Sequence, residues 1–178
     1  DLRLLVGNRA WVLLTATTLT WILFVGLRSS VSAHYFKYYL YNGDAGAALL
    51  FLGREFTLTG LLSAFNTVGQ TASVAGVLVT GFLAARFSKR TLFFALFSAA
   101  ILCTAAYAVI PPGALGLIFL LEVAGNLAGA PLPVLLWAMY ADTADYGEWK
   151  SGRRTTALVF SASTMSQKLG WALAAFTA

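Results

Sequence analysis

Charge is scarce in this chain. Of 178 residues, 12 are Lys or Arg and 7 are Asp or Glu, so charged side chains make up only 11%, too few to solvate an ordinary soluble domain. Cysteine is scarcer still. Cys103 is the only one and lies in an apolar run, which excludes a disulfide framework and a thiolate metal site. His34 is the one histidine and gives weak support to a proton relay. No H-E-x-x-H, no Gly-rich phosphate loop and no nucleophile beside a base occurs. The chain opens with DLRLLVGNRA, without an initiator Met or a signal-peptide pattern, and stops at Ala178 inside an apolar run. The expectation is a fragment of a longer protein.

What is present is apolar: 59% of residues are hydrophobic and 14% aromatic, with a mean hydropathy of +0.77. The lipid bilayer is therefore an expected partner. The net charge of +5 is spread over segment ends with no polar face to gather it, so it reads as loop charge and not as a nucleic-acid surface.

Hydrophobic periodicity predicts an all-α membrane protein with about five transmembrane helices, at about 10–40, 57–85, 91–110, 114–140 and 155–178. The turn signal Asn42-Gly43-Asp44 closes the first, and Phe51 to Glu55 reads as a short re-entry or as the start of the second. Pro131 and Pro133 are expected to kink the fourth. Between the fourth and fifth lies the densest run of charge, Asp142, Asp145, Glu148, Lys150, Arg153 and Arg154, which reads as a short aqueous loop. Arg3, Arg9, Arg86, Lys89, Arg90, Lys150, Arg153 and Arg154 fall on one side of the membrane, against Arg54 and Lys37 on the other. The positive-inside rule then makes the fragment's N-terminus and the charged loop cytoplasmic.

Several polar residues stand where lipid would penalise them. Thr59, Ser63, Asn66, Gln70 and Ser73 recur at steps of four, three, four and three, which puts them on one helix face. That face should meet other helices or water, because an unpaired amide in hydrocarbon costs several kcal/mol. Lys168 lies roughly a dozen residues into its helix, near the midplane at about 1.5 Å per residue. A charge there costs about 2.5 kcal/mol or more and usually marks a substrate or ion path. Ser161, Thr164 and Trp171 share its face, and hydroxyls, a cation and an indole together suit a sugar. The alternative for Lys168 is a structural partner for a buried acid such as Glu122. Arg28 either lines the outer part of a cavity or snorkels to the interface. Asp142 and Asp145, at a helix C-terminus, need cations, with Arg153, Arg154, Arg86, Lys89 and Arg90 as candidates for a cytoplasmic gate. The alternative is a solvated loop whose ion pairs each contribute about 0 to 1 kcal/mol.

The stretch PLPVLLWAMYADTADYGEWKSGRR followed by ALVFSASTMSQKLG resembles the signature region of the glycoside/pentoside/hexuronide:cation symporters, the melibiose-carrier branch of the major facilitator superfamily. NRAWVLLTATTLTWILFVGLRSSVSAHYFKYY is similar to the opening of that family's seventh helix. The resemblance implies helices seven to eleven of a twelve-helix carrier, a C-terminal transmembrane bundle over 1–178 without its last helix and N-terminal half. It places Asp142, Asp145, Tyr146 and Arg154 in the family's cytoplasmic loop motif, and Lys168 where the family has a lysine near the sugar and cation sites. GFLAARFSKR is similar to the superfamily's cytoplasmic motif but has Ala85 where Asp is usual and Ser88 where Gly is usual.

On this resemblance the chain is part of a sugar:cation symporter of the bacterial inner membrane, with Lys168, Trp171, Thr164, Asn66, Gln70 and Arg28 facing the substrate. No cofactor is implied. The coupling ion, Na⁺ or H⁺, would be bound mainly by the missing N-terminal half, and the metal ligands are unknown. Two other readings stand beside it: a non-transporting remnant or sensor of the same fold, and an intramembrane enzyme using Asp142 and Asp145 as paired carboxylates.

Overall fold

The computed structural model describes residues 2–44 and 46–177, with side chains from residue 5 onward. The Arg3 side chain, counted above for orientation, and Ala178, the expected end of the fifth helix, lie outside the described residues. Helix α1 (Leu2–Gly7) leads into α2 (Arg9–His34), which widens into a π-helical turn over Tyr35–Leu40. A β-hairpin follows, β1 (Ala48–Phe51) antiparallel to β2 (Arg54–Thr57). Then come α3 (Leu58–Arg86), α4 (Lys89–Ala106) with a 3-10 turn over Tyr107–Val109, α5 (Leu115–Gly129), α6 (Pro131–Ser151) and α7 (Thr156–Thr177).

Helix starts are set by local chemistry. The Asn8 side chain accepts the Trp11 N–H at 3.2 Å, Thr57 that of Gly60 at 3.3 Å and Ser88 that of Thr91 at 3.2 Å, so each satisfies one orphan donor of a first turn. Pro131 opens α6, where its missing N–H costs nothing, and the break falls at Ala130.

Among the described residues, four segments are long and apolar enough to cross a membrane: Arg9–Leu40, Leu58–Arg86, Lys89–Val109 and Leu115–Ser151. The expected fifth, α7, is not among them, because Ser161, Ser163, Thr164, Ser166, Gln167 and Lys168 crowd its centre and lower its hydropathy.

Two sequence expectations are corrected. Residues 51–55 are neither a re-entry nor a helix start. They form the hairpin's tip, with Leu52 and Gly53 both at positive φ (53° and 75°), the backbone that a two-residue hairpin turn requires. The second correction concerns the charged run. The fourth helix does not stop at Tyr140, and the run is not a loop, since α6 stays helical to Ser151. The reason is amphipathic: Tyr140, Thr143 and Ala144 are buried while Asp142, Asp145, Tyr146, Glu148 and Trp149 are exposed, so the apolar face continues past Tyr140. The helix ends where Gly152 takes a left-handed φ of 66°.

The chain folds as two compact units, Asp1–Ser30 with Leu135–Ala178, and Val31–Val134. In the first, α2 and α7 approach closely through small residues: a Cβ on Gly26 would collide with Ala174, and one on Gly170 would lie 3.1 Å from Leu19. Three polar contacts there join helices. The Asn8 amide donates to the Thr143 carbonyl at 2.9 Å, and the Trp11 indole N–H donates to Ser163 Oγ at 3.0 Å. Thr18 Oγ1 donates to Leu14 O at 2.8 Å, so the Tyr140 hydroxyl, 2.8 Å away, donates to it.

In the second unit the core gathers Phe36, Leu40, Tyr41, Leu61, Phe65, Ile110, Leu115 and Ile118. The hairpin is tied to it by the Tyr41 hydroxyl, which donates to Phe56 O at 2.7 Å, and by Phe51 stacked on Phe119 at 4.8 Å. Tyr35 and Tyr39 donate to the Tyr107 and Ile110 carbonyls at 3.5 and 2.8 Å.

Candidate functional site

Helix α7 shows one face inward and another outward within its own unit. Val159, Ser163, Gly170 and Ala174 are buried. Ser161, Thr164, Lys168 and Trp171 are exposed together, as their spacing predicts. The hydroxyls on this helix do not burden it. Ser161, Thr164 and Ser166 donate back to the carbonyls of Ala157, Phe160 and Ala162 at 2.8, 2.9 and 2.8 Å, which satisfies their protons while keeping lone pairs outward. What the face offers is therefore hydroxyl acceptors, one ammonium and one indole. Trp171 also reaches α2, with its ring 3.9 Å from where a Gly26 Cβ would be. Arg28, two residues further along α2, is half-buried. Trp137 stacks on Phe160 at 5.9 Å with planes 10° apart, which fixes α6 against α7.

In the other unit, α3 buries Leu61, Phe65, Gly69, Ala72, Gly76 and Thr80. Its polar stripe splits. Thr59, Ser63, Asn66 and Gln70 are exposed, while Ser73 is half-buried and donates to Asn126 Oδ1 at 3.1 Å. Asn66, Thr67, Gln70 and Thr71 line the polar end of a shallow groove of about 610 Å³ whose other end is Val74 and Leu78. Thr67 and Thr71 donate back along the helix at 2.8 and 2.9 Å, so the Asn66 and Gln70 amides are the groove's distinctive donors.

Beneath the opposite side of α3 lies a buried acid. Glu122 on α5 is 6% exposed and accepts from Asn126 Nδ2 at 2.7 Å and from the Tyr107 hydroxyl at 3.2 Å. Gly69 gives it room, since a Cβ there would lie 2.5 Å from Glu122 Oε1 and 2.9 Å from Asn126 Nδ2. Glu122 and Lys168 thus belong to different units, and each has its own surroundings.

The candidate gate residues sit on the exposed face and end of α6. Asp142 and Asp145 are exposed and one turn apart, and Tyr146 lies against Trp149 at 6.0 Å. Arg154 pairs with Glu148 at 4.0 Å, with both side chains well exposed, and the Arg153 N–H donates to Ser151 Oγ at 3.3 Å. Arg154 reaches Glu148 because α6 stays helical and delivers Glu148 to the turn that carries Arg154. At this exposure such a pair contributes about 0 to 1 kcal/mol.

The chain matches the family described as MFS/sugar transport protein over residues 1–178. It belongs to that family. Over 173 residues it is 30% identical to a protein of Escherichia coli K12 named as a candidate glycoside/cation symporter, YagG, covering 97% of this chain and 34% of that protein. Over 176 residues it is 29% identical to the isoprimeverose transporter of Lactiplantibacillus pentosus, covering 96% of this chain and 32% of the relative. A shorter stretch of 42 residues is 50% identical to a candidate sulfoquinovose importer of Salmonella typhimurium LT2, 24% of this chain and 9% of the relative. This member of the sugar transport family spans about a third of the length of the curated relatives that it matches end to end. The relatives are named for transport, and the chain is a multi-pass membrane protein of a sugar transporter family.

Sequence reasoning missed three arrangements. Asn8 is a recognisable cap before an apolar run, but its second bond, to α6, has no local signal. Trp137 with Phe160 and Tyr107 with Glu122 join residues 23 and 15 apart in sequence across helix pairs, beyond the reach of helical periodicity.

Proposed function

We propose that the chain is the larger part of the C-terminal bundle of a secondary transporter. The whole protein would move a glycoside or related sugar with Na⁺ or H⁺ across the bacterial inner membrane by alternating access. One observation carries the reading: α7, in a family of sugar transporters, exposes Thr164, Lys168 and Trp171 side by side on an otherwise apolar chain. Lys168 would donate to sugar hydroxyls, Thr164 would accept from them, and the Trp171 ring would cover an apolar face of the pyranose. In the other unit, Asn66 and Gln70 would hydrogen-bond a sugar in the α3 groove. A site built to satisfy hydroxyls rejects analogues that leave its polar groups unpaired. Arg28 would contribute charge from α2.

The other bundle and most of the coupling-ion ligands would come from the remaining length that the relatives possess. The basic residues at the ends of α3, α4 and α6 support a cytoplasmic location for those ends and for the N-terminus. Asp142, Asp145, Tyr146, Arg153 and Arg154 would then form a cytoplasmic surface that opens and closes with the transport cycle.

The test is uptake of labelled galactosides, xylosides and glucuronides by cells making the intact parent protein, with and without a Na⁺ gradient. Accumulation of a glycoside that Lys168→Ala abolishes is expected. Correct membrane insertion with no accumulation of any panel member would favour a non-transporting relative of the fold. Sugar uptake by residues 1–178 alone would contradict the two-bundle mechanism.

A further inference from the structure

Glu122 is the acid that the proposed sugar path does not use. It sits in the membrane-spanning segment Leu115–Ser151, 6% exposed, on the side of α5 that meets Gly69 of α3. An ionisable group at that depth is retained at a cost, and such groups in membrane proteins usually do work with protons or ions. The groups around Glu122 suit one that changes its protonation state.

The Tyr107 hydroxyl has two acceptors within reach, Glu122 Oε2 at 3.2 Å and the Ile118 carbonyl at 3.3 Å. It has one proton to give. With Glu122 ionised, that proton goes to Oε2. With Glu122 protonated at Oε2, the new carboxyl O–H donates to Tyr107 Oη and the phenol proton turns to Ile118 O. No buried donor is stranded in either state. On the other side of the carboxyl, Asn126 Nδ2 donates to Glu122 Oε1 at 2.7 Å and to the Glu122 backbone carbonyl at 2.9 Å, and both bonds persist when the proton is on Oε2. Asn126 is itself held by Ser73, which donates to its Oδ1 at 3.1 Å, so the amide is fixed with its N–H groups toward the carboxyl.

We infer that Glu122 is a proton-binding site, with the Tyr107 hydroxyl as the pivot that satisfies its carboxyl in both protonation states. The proton is taken from and returned to water, and no other bond changes. The elements packed around Glu122 present Gly69 and Ser73 from α3, Tyr107 from the end of α4 and Asn126 from α5. Arg86, the charged residue of α3, is 17 residues beyond Gly69. Lys89 and Arg90, those of α4, precede Tyr107 by 18 and 17 residues. At about 1.5 Å per residue each lies roughly 25 Å along its helix from this site. Cys103, one turn before Tyr107, is the other titratable side chain of α4. This site would supplement the coupling ligands proposed for the other bundle, but proton binding here does not require that a sugar be carried.

The experiment is infrared spectroscopy of the purified full-length parent protein, titrated in pH without sugar, for wild type, Glu122→Gln and Tyr107→Phe. The expected result is a carboxylic-acid C=O band that appears as pH falls and is lost completely in Glu122→Gln. In Tyr107→Phe the band should remain but shift in frequency, because its O–H has lost the phenol oxygen. A merely structural carboxylate would change melting temperature in these variants without contributing a titrating band. Identical titrating bands in wild type and Glu122→Gln would overturn the inference, as would a band unmoved in Tyr107→Phe. Should Glu122→Gln fail to fold, Glu122→Asp carries the test: a displaced band supports the assignment and an unchanged one overturns it. A parallel measurement of sugar binding separates the two proposals, since a titrating Glu122 band in a protein that binds no sugar refutes the transport reading alone.

Discussion

Lys168 and Glu122 are both charge-bearing residues in apolar helices, yet the fold treats them in opposite ways. Glu122 is enclosed by Gly69, Asn126 and Tyr107, each placed to fit its carboxyl. Lys168 stands on the exposed face of α7 beside Thr164 and Trp171. Polar groups of the first kind are satisfied by their own unit and hold it together. Groups of the second kind face outside it, and on the proposed reading what they meet is a sugar. If the distinction is right, substitutions at the two places should separate stability from transport.

The largest loss of stability is expected from Glu122→Ala. It leaves the Asn126 amide short of an acceptor and opens a void, so thermal melts of the parent protein in detergent should show about 2–4 kcal/mol of destabilisation. Gly69→Ala should follow at about 1–3 kcal/mol, because its Cβ would lie 2.5 Å from Glu122 Oε1 and 2.9 Å from Asn126 Nδ2, two atoms that are hydrogen-bonded to each other and would have to shift together. The hairpin should respond to pH. Burial pushes the Tyr41 phenol above its ordinary value of 10.0, so its contribution is fully present below pH 10 and is lost as pH rises through the raised value. Limited proteolysis at Leu52–Gly53 should accelerate in strong alkali for wild type, whereas Tyr41→Phe should lose that alkaline step. The smallest effect on stability is expected from Lys168→Ala, within about 0.5 kcal/mol, together with loss of sugar uptake. A large drop in melting temperature for Lys168→Ala would erase the contrast.

How much of this was legible in the sequence depends on the range of the physics. The apolar helices and the shared face of Thr164, Lys168 and Trp171 follow from local periodicity, which needs only residues three and four apart. The stripe from Thr59 to Ser73 was visible for the same reason. That Ser73 turns inward to Asn126 while Asn66 and Gln70 stay exposed was not, because it depends on which side of α3 meets α5. Charge density misled at Asp142 to Lys150. A run of acids and bases resembles a loop in hydropathy, but Tyr140, Thr143 and Ala144 carry a buried stripe through it and keep the helix going to Ser151. The hairpin was missed because four-residue strands leave almost no periodic signal, and Leu52 is a poor advertisement for a positive-φ turn.

The most direct test of the central claim, that the exposed face of α7 receives the sugar, is substrate protection of a single cysteine. Thr164→Cys would be placed in the parent protein with its other cysteines, Cys103 included, replaced by serine or alanine. Maleimide labelling in membranes would then be followed with and without the glycoside that the cells accumulate. The account predicts that the glycoside slows labelling at position 164 in a saturable way, while a non-transported sugar does not. A labelling rate unaffected by saturating glycoside, in a variant that still accumulates it, would contradict the account.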